Sequence, residues 1–366
     1  MCLLAFAPLL DETNFTATNH ATFIYNTLEW YNLSVEHLVC LIGDNCATNK
    51  ALAGDMGRPL IGCRSHRFNL AIEAYIKQHL GTEQEMVGKL MGKLSTLKQA
   101  GRLRLQTALR PVKRNDTRWL GTVNMFNRYQ RLKTHIDQTD TELAELTPNA
   151  SSEIKIKSHL KNLEAFKSVT LSLQKEEVTL LQSHFLFQSV IAEFTNFTFE
   201  DYIGENAAIV HAPIFEDALI KIQDGRESDL TAAEVESVSR LQKASNSNAS
   251  QGQQPSVSGL SFAEAALKRQ KLATESQRTY VDTSFIMPTS NEVERLFSLA
   301  SRIFTPSRRN MQPITLEALV FLNRNRALWD MKLVAEIVHQ KDLVTEVIDL
   351  EDEDDSDEEV VASMFF

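Results

Sequence analysis

The spacing of apolar residues changes twice along this chain, and each change marks a different kind of structure. Val35 to Ile42 is a nearly continuous apolar run, the pattern of a strand buried on both faces. Asp44 falls just past its end, and Asn45 to Leu52 reads as the start of a helix. Pro59 to Cys63 is a second short strand, and Phe68, Leu70, Ala71, Ala74 and Tyr75 put an apolar face on the helix after it. A strand, helix, strand, helix order predicts parallel strands with a site at their carboxyl ends, and Asp44 stands at such an end.

From about Val123 to Ile222 the period becomes helical. Leu160, Leu163, Phe166 and Leu173 share one predicted face, and Leu181, Phe185, Ile191 and Phe194 another. This stretch reads as an all-α insertion or second domain. Ala244 to Gly259 is polar, with no means of burying itself, and is expected to be a flexible linker. After Met287-Pro288 the helical period returns through Glu294 to Ile303. Pro313 then opens another helix, with Leu316, Leu319, Val320 and Leu322 to Trp329 as a broad apolar stripe. A stripe so wide is either ordinary core or a subunit interface.

Composition narrows the class. With 366 residues, 43% of them hydrophobic, the chain can bury two or three domains. Its formal charge of -10 is concentrated: nine of the 48 acids lie in Asp349 to Glu359, which leaves 39 acidic against 38 basic residues elsewhere. Such an acidic end reads as a solvated tail. Four cysteines make no disulfide framework, and Cys40 reads as a small core residue, so a reducing compartment is expected. The apolar opening Met1 to Ala7 lacks a basic flank, and no apolar stretch reaches membrane-spanning length. Lys268-Arg269-Gln270-Lys271 reads as a solvated helix face rather than a localisation signal.

Candidate chemistry lies at two distant places. Asp44 follows a strand, and Glu294 and Arg295 sit beside an apolar helical stripe, followed by Arg302, Arg308 and Arg309. Two acids far apart in sequence, each delivered by a regular element, are how a metal-dependent phosphoryl-transfer site is often built. The plain alternatives are a helix cap for Asp44 and a surface helix position for Glu294. Cys63 and His66 have the spacing of half a zinc finger, but no second Cys/His pair completes it, so no zinc is expected.

Four ordered segments resemble the hAT superfamily of transposases. Gly43-Asp44-Asn45-Cys46-Ala47-Thr48-Asn49 is similar to the family's GDN(A/C)xxN segment, and Cys63-Arg64-Ser65-His66-Arg67-Phe68-Asn69-Leu70 to its CxxHxxNL segment. Asn115-Asp116-Thr117-Arg118-Trp119 resembles the TRW segment, and Thr289 to Phe321 the carboxyl-terminal dimerisation region with its (S/N)xxERxFS core. The resemblance implies an α/β plus all-α fold, a ribonuclease-H-like domain interrupted by a helical insertion, which cuts DNA with three carboxylates and divalent metal. On it, Asp44 matches the second acid and Glu294 the third, both as ligands of Mg2+. It makes His66 a phosphate contact and gives Arg118 and Trp119 the grip on a DNA hairpin, for which an exposed indole and a guanidinium are suited; the alternative for Trp119 is a buried core tryptophan. Arg308 and Arg309 are further DNA contacts, and Leu296, Phe297, Leu316, Leu319, Val320, Leu322 and Trp329 the dimerisation surface.

The family's first acid lies on a strand upstream of the part that resembles Leu3 to Pro8, and Asp11 and Glu12 match none of the three acidic positions. The amino-terminal zinc finger of the family is also unmatched. The expectation is therefore an incomplete ribonuclease-H-like domain over residues 1–122, a helical insertion over 123–283, a return to the core with the dimerisation region over 284–330, and a helix with an acidic tail over 331–366. A polypeptide of this kind is expected not to cleave DNA on its own. It would pair with itself as a homodimer or higher oligomer, bind DNA weakly, use no small-molecule substrate or membrane, and reside in the nucleus. Two alternatives remain. One is a chromatin or transcription interaction protein working through the acidic tail, with Ser356 as a phosphorylation site. The other is an active transposase whose amino-terminal part lies outside this sequence.

Overall fold

The computed structural model describes residues 2–9, 11, 13–114, 119–243, 278–337 and 339. The expectations for the linker 244–259, the cluster 268–271, the acidic tail 349–359 and Arg118 fall outside these residues. The chain divides into two compact units, one of Leu9–Glu294 and one of Met1–Pro8 with Arg295–Phe366. Among the described residues no helix is long and apolar enough to cross a membrane.

The first unit is mostly helical around a small parallel sheet. Helix α1 (Ala17–Trp30) covers α2 (Ala47–Met56), burying Ala21 against Leu52 and Met56. Between them runs β1 (Leu41–Gly43), which pairs in parallel with β2 (Leu60–Gly62) in the register Leu41 to Leu60, Ile42 to Ile61 and Gly43 to Gly62. The predicted strand over Val35 to Ile42 is thus shortened from its start. Val35–His37 is a 3-10 turn, and β1 is half-buried rather than buried on both faces. The physical reason is partnership: among the described residues β1 has β2 alone as a neighbour, so its apolar run marks one strand next to a turn.

Glycine is required where the strands end. A side chain at Gly62 would overlap the Asn45 side chain, which lies against the β2 backbone. Helix α2 closes on Gly57, whose φ of 60° is left-handed.

Helix α3 (Arg64–Leu94) is 31 residues long and organises the unit. Phe68, Ala71, Ile72, Tyr75, Leu80, Val87, Leu90 and Met91 recur at helical spacing and are buried against α5 (Leu120–Leu132), α7 (Ala150–Leu173) and α8 (Leu180–Glu193). The short helices α4 (Leu97–Arg104) and α6 (Thr141–Leu146) lie between these. On α7 the predicted face of Leu160, Leu163, Phe166 and Leu173 is the buried one. On α8 it is not: Leu180, Ser183, Phe187 and Val190 point inward, and Phe185 is 54% exposed. A second core joins Ile61 of β2 to Phe215, Ala218, Leu219 and Ile222 of α10 (Pro213–Gln223), which follows α9 (Glu200–Ile203) and precedes α11 (Ala232–Ser237).

Helix α12 (Asn291–Ile303) begins in the first unit and continues in the second. The second unit contains α13 (Pro313–Arg324) and the extended segment before Pro8. The Asn325 side chain accepts from the Leu3 amide at 2.9 Å and donates to the Leu3 carbonyl at 2.8 Å, standing in for a neighbouring strand. Phe6 meets Phe297 edge to face with centroids 6.3 Å apart.

Candidate acidic site at the strand ends

Gly43 and Gly62 end their strands side by side, and the chain leaving each one enters a helix. The Cys63 amide donates to the Gly43 carbonyl at 2.7 Å, holding the start of α3 beside the end of β1. Asp44 does not cap α2; that place belongs to Cys46, whose sulfur accepts from the Asn49 amide at 3.5 Å. The Asn49 side chain instead donates to the Asp44 backbone carbonyl at 3.0 Å, and Asp44 is exposed.

The segment before α12 is tied to the same corner. The Arg64 amide donates to the Pro288 carbonyl at 2.9 Å, and the Ser290 amide to the buried Cys63 sulfur at 3.4 Å. The Asn291 side chain donates to the Leu173 carbonyl at 3.0 Å, anchoring the first turn of α12 on the end of α7. From this position the Ser290 hydroxyl donates to Asp44 Oδ1 at 3.4 Å. Glu294 is the next turn of the helix on the Ser290 side, its amide donating to the Ser290 carbonyl at 3.4 Å, and its side chain is exposed. Ser290 and Asp44, 246 positions apart in sequence, are therefore in contact, and Glu294 follows Ser290 by one helical turn. His66 is half-buried in the first turn of α3, whose start forms this corner.

Beneath the corner lies a buried charge cluster that sequence reasoning missed. Arg64 and Arg67 are 4% and 2% exposed, and both face Glu216 of α10, at 3.1 and 3.7 Å. Arg67 also donates to the carbonyls of Tyr202 and Gly204, and both guanidiniums lie over the Phe187 ring at 5.6 and 5.7 Å. Burial lowers the pKa of Arg64, and it pushes Arg67 down to about 10, with Glu216 opposing the shift in each case. The available signal was a lone carboxylate pair, Glu216-Asp217, inside the apolar helix Pro213–Gln223.

The remaining candidates are spread over both units. Trp119 is only 3% exposed and belongs to the core around α3, so the core reading holds and no indole face is open for stacking. Arg308 and Arg309 belong to the second unit, are exposed, and line an open groove of about 510 Å³ with Met311 and Gln312. Of the dimerisation candidates, Phe297 (60%), Leu319 and Leu322 are exposed, while Leu296, Leu316 and Trp329 are half-buried. Val320 is fully buried and must be removed from any surface: it is core of its own unit. The Trp329 ring is stacked under Arg326 at 4.1 Å and its Nε1 donates to the Leu322 carbonyl.

The exposed carboxylates of Asp44 and Glu294 are hard oxygen donors of the type Mg2+ takes. Among the described residues no group of three or more His, Cys, Asp or Glu side chains is gathered as metal ligands. No protein-family profile matches the chain, and no curated protein sequence does so either.

Proposed function

We propose that this chain is a relative of the hAT transposases that keeps part of a ribonuclease-H-like site, pairs with itself through the helices after Arg295, touches DNA weakly and does not cleave it alone. The observation that carries this reading is the bond from Ser290 to Asp44, which sets the helix bearing Glu294 against the end of β1. The order of the four resembling segments supports the kinship, and the gathering of three of them around one corner, through Cys63, Asp44 and Ser290, supports a shared site. Self-association is supported by Phe297, Phe304, Ile314, Leu319, Leu322 and Leu328, all at least 40% exposed in a short stretch. Such a protein acts in the nucleus.

The test is nicking of supercoiled plasmid and of flush duplexes in Mg2+ or Mn2+. No nicking is expected from the purified chain. Nicking that disappears in Glu294→Ala would overturn the silent reading and favour an active enzyme.

A further inference from the structure

We infer that the outer face of α5 and residues 110–113 form a second polyanion site, separate from the acidic corner, that takes the phosphodiester backbone of duplex DNA. The described residues between 89 and 133 hold eleven lysines and arginines and no aspartate or glutamate, in a chain whose net charge is -10. Four of these cations are neutralised by acids from elsewhere: Lys89 by Glu85, Lys93 by Glu142, Arg102 by Asp140 and Lys133 by Glu153. Arg110, Lys113, Arg128 and Arg131 have no carboxylate partner among the described residues; Arg128 and Arg131 line one groove, and Arg110 and Lys113 stand in sequence on either side of Val112, which lines it too. Arg128 Nη1 donates to the Arg110 carbonyl at 2.6 Å, which lays this segment along α5. Between segment and helix runs an open groove of about 360 Å³, lined by Val112, Asn124, Asn127, Arg128 and Arg131.

The helix shows how the groove arises. Val123, Phe126 and Tyr129 of α5 are buried against the core, and positions 124, 127, 128 and 131 fall on the other side at helical spacing. That outer stripe is two amides followed by two guanidiniums. Glu164 of α7 accepts from the Asn127 side chain at 2.9 Å and from Lys167 at 3.5 Å, so its charge is shared. Two guanidiniums in a row beside amide donors suit a repeating anion, reading no base.

The proposal rests on the preceding reading for the identity of the polyanion as DNA. Its test is binding of the full chain to a short duplex of arbitrary sequence, titrated with salt. A triple variant, Arg110→Gln with Lys113→Gln and Arg131→Gln, removes exposed side chains only. It should weaken binding at least about tenfold at low salt and lower the salt slope by about two to three counterions. A control triple at exposed lysines elsewhere on the same unit, Lys50→Gln with Lys77→Gln and Lys175→Gln, should leave both nearly unchanged. Equal losses in the two triples, or none in the first while wild type binds, would overturn the groove and leave the DNA reading standing. Wild type that fails to bind duplex even at low salt would overturn both. Unchanged thermal midpoints of the variants establish that the fold is kept.

Discussion

Glu216 is the single carboxylate between two buried guanidiniums, and removing it would strand both. Glu216→Ala should cost about 3–5 kcal/mol in urea unfolding, the range for breaking a buried pair from one side. A loss under about 1 kcal/mol would mean that water already reaches the arginines. Its neighbour behaves oppositely. Burial, with help from Glu205, Glu234 and Glu216, pushes the Asp217 carboxyl up to about 6. A folded pKa above the unfolded one favours the protonated group in the native state, so its contribution is present at low pH and lost as pH rises from about 4 through 6. Asp217→Asn should therefore raise the thermal midpoint at pH 7.5 and have no benefit near pH 4. These residues also mark what the sequence could and could not disclose. Motif order pointed to Asp44 and to the segment around Glu294, and the structure sets Ser290 of that segment against Asp44. Ser290, Arg64 and Arg67 sat within the same motifs, but their partners are far away in sequence and no spacing rule reaches across such a gap. Trp119 was ambiguous because an exposed stacking indole and a core indole read the same in one dimension.

Among the elements, the seam between α3 and α7 carries the most distinctive chemistry. The Tyr75 hydroxyl bonds to His159 Nδ1 at 2.7 Å and accepts from Asn162 at 2.8 Å, while the His79 and His159 rings stack with centroids 5.0 Å apart. Lys155 of α7 and Glu83 of α3, paired at 3.0 Å, are the charged groups facing them. Burial lowers the pKa of both histidines, with Lys155 adding to the effect at each and Glu83 opposing it at His159. Folded values below about 6.5 mean that this seam is fully stable above that pH and weakens as acid charges the rings. His79→Phe should flatten the fall of the thermal midpoint between pH 7 and 5, and an unchanged slope would place the acid sensitivity elsewhere. The core face of α7 was readable because its apolar residues keep one stripe. In α8 they lie on several sides of the helix, so the period alone left two faces open and burial chose the one without Phe185. Likewise the apolar run before Asp44 signalled a strand correctly but not where it starts, since pairing with β2 sets its length.

For the whole molecule, the exposed apolar side chains after Arg295 predict association. Light scattering should give a dimer, and Phe297→Asp with Leu319→Asp should give a monomer with an unchanged circular dichroism spectrum. A monomeric wild type at micromolar concentration would count against this. The mixed helix and parallel-strand character was visible in the chain, whereas the division of charge was hidden by a nearly neutral average outside the acidic end. The cationic stretch from Lys89 to Lys133 gives that division a kinetic consequence. In very dilute buffer the Debye length is about 30 Å, so an approaching helix of DNA feels the repulsion of the chain's net charge of -10, nearly all of it from the acidic end; at about 0.15 M it is about 8 Å, and only the local attraction survives. The rate of encounter should therefore climb before it declines as electrolyte is added, a maximum that a uniformly basic protein would not display.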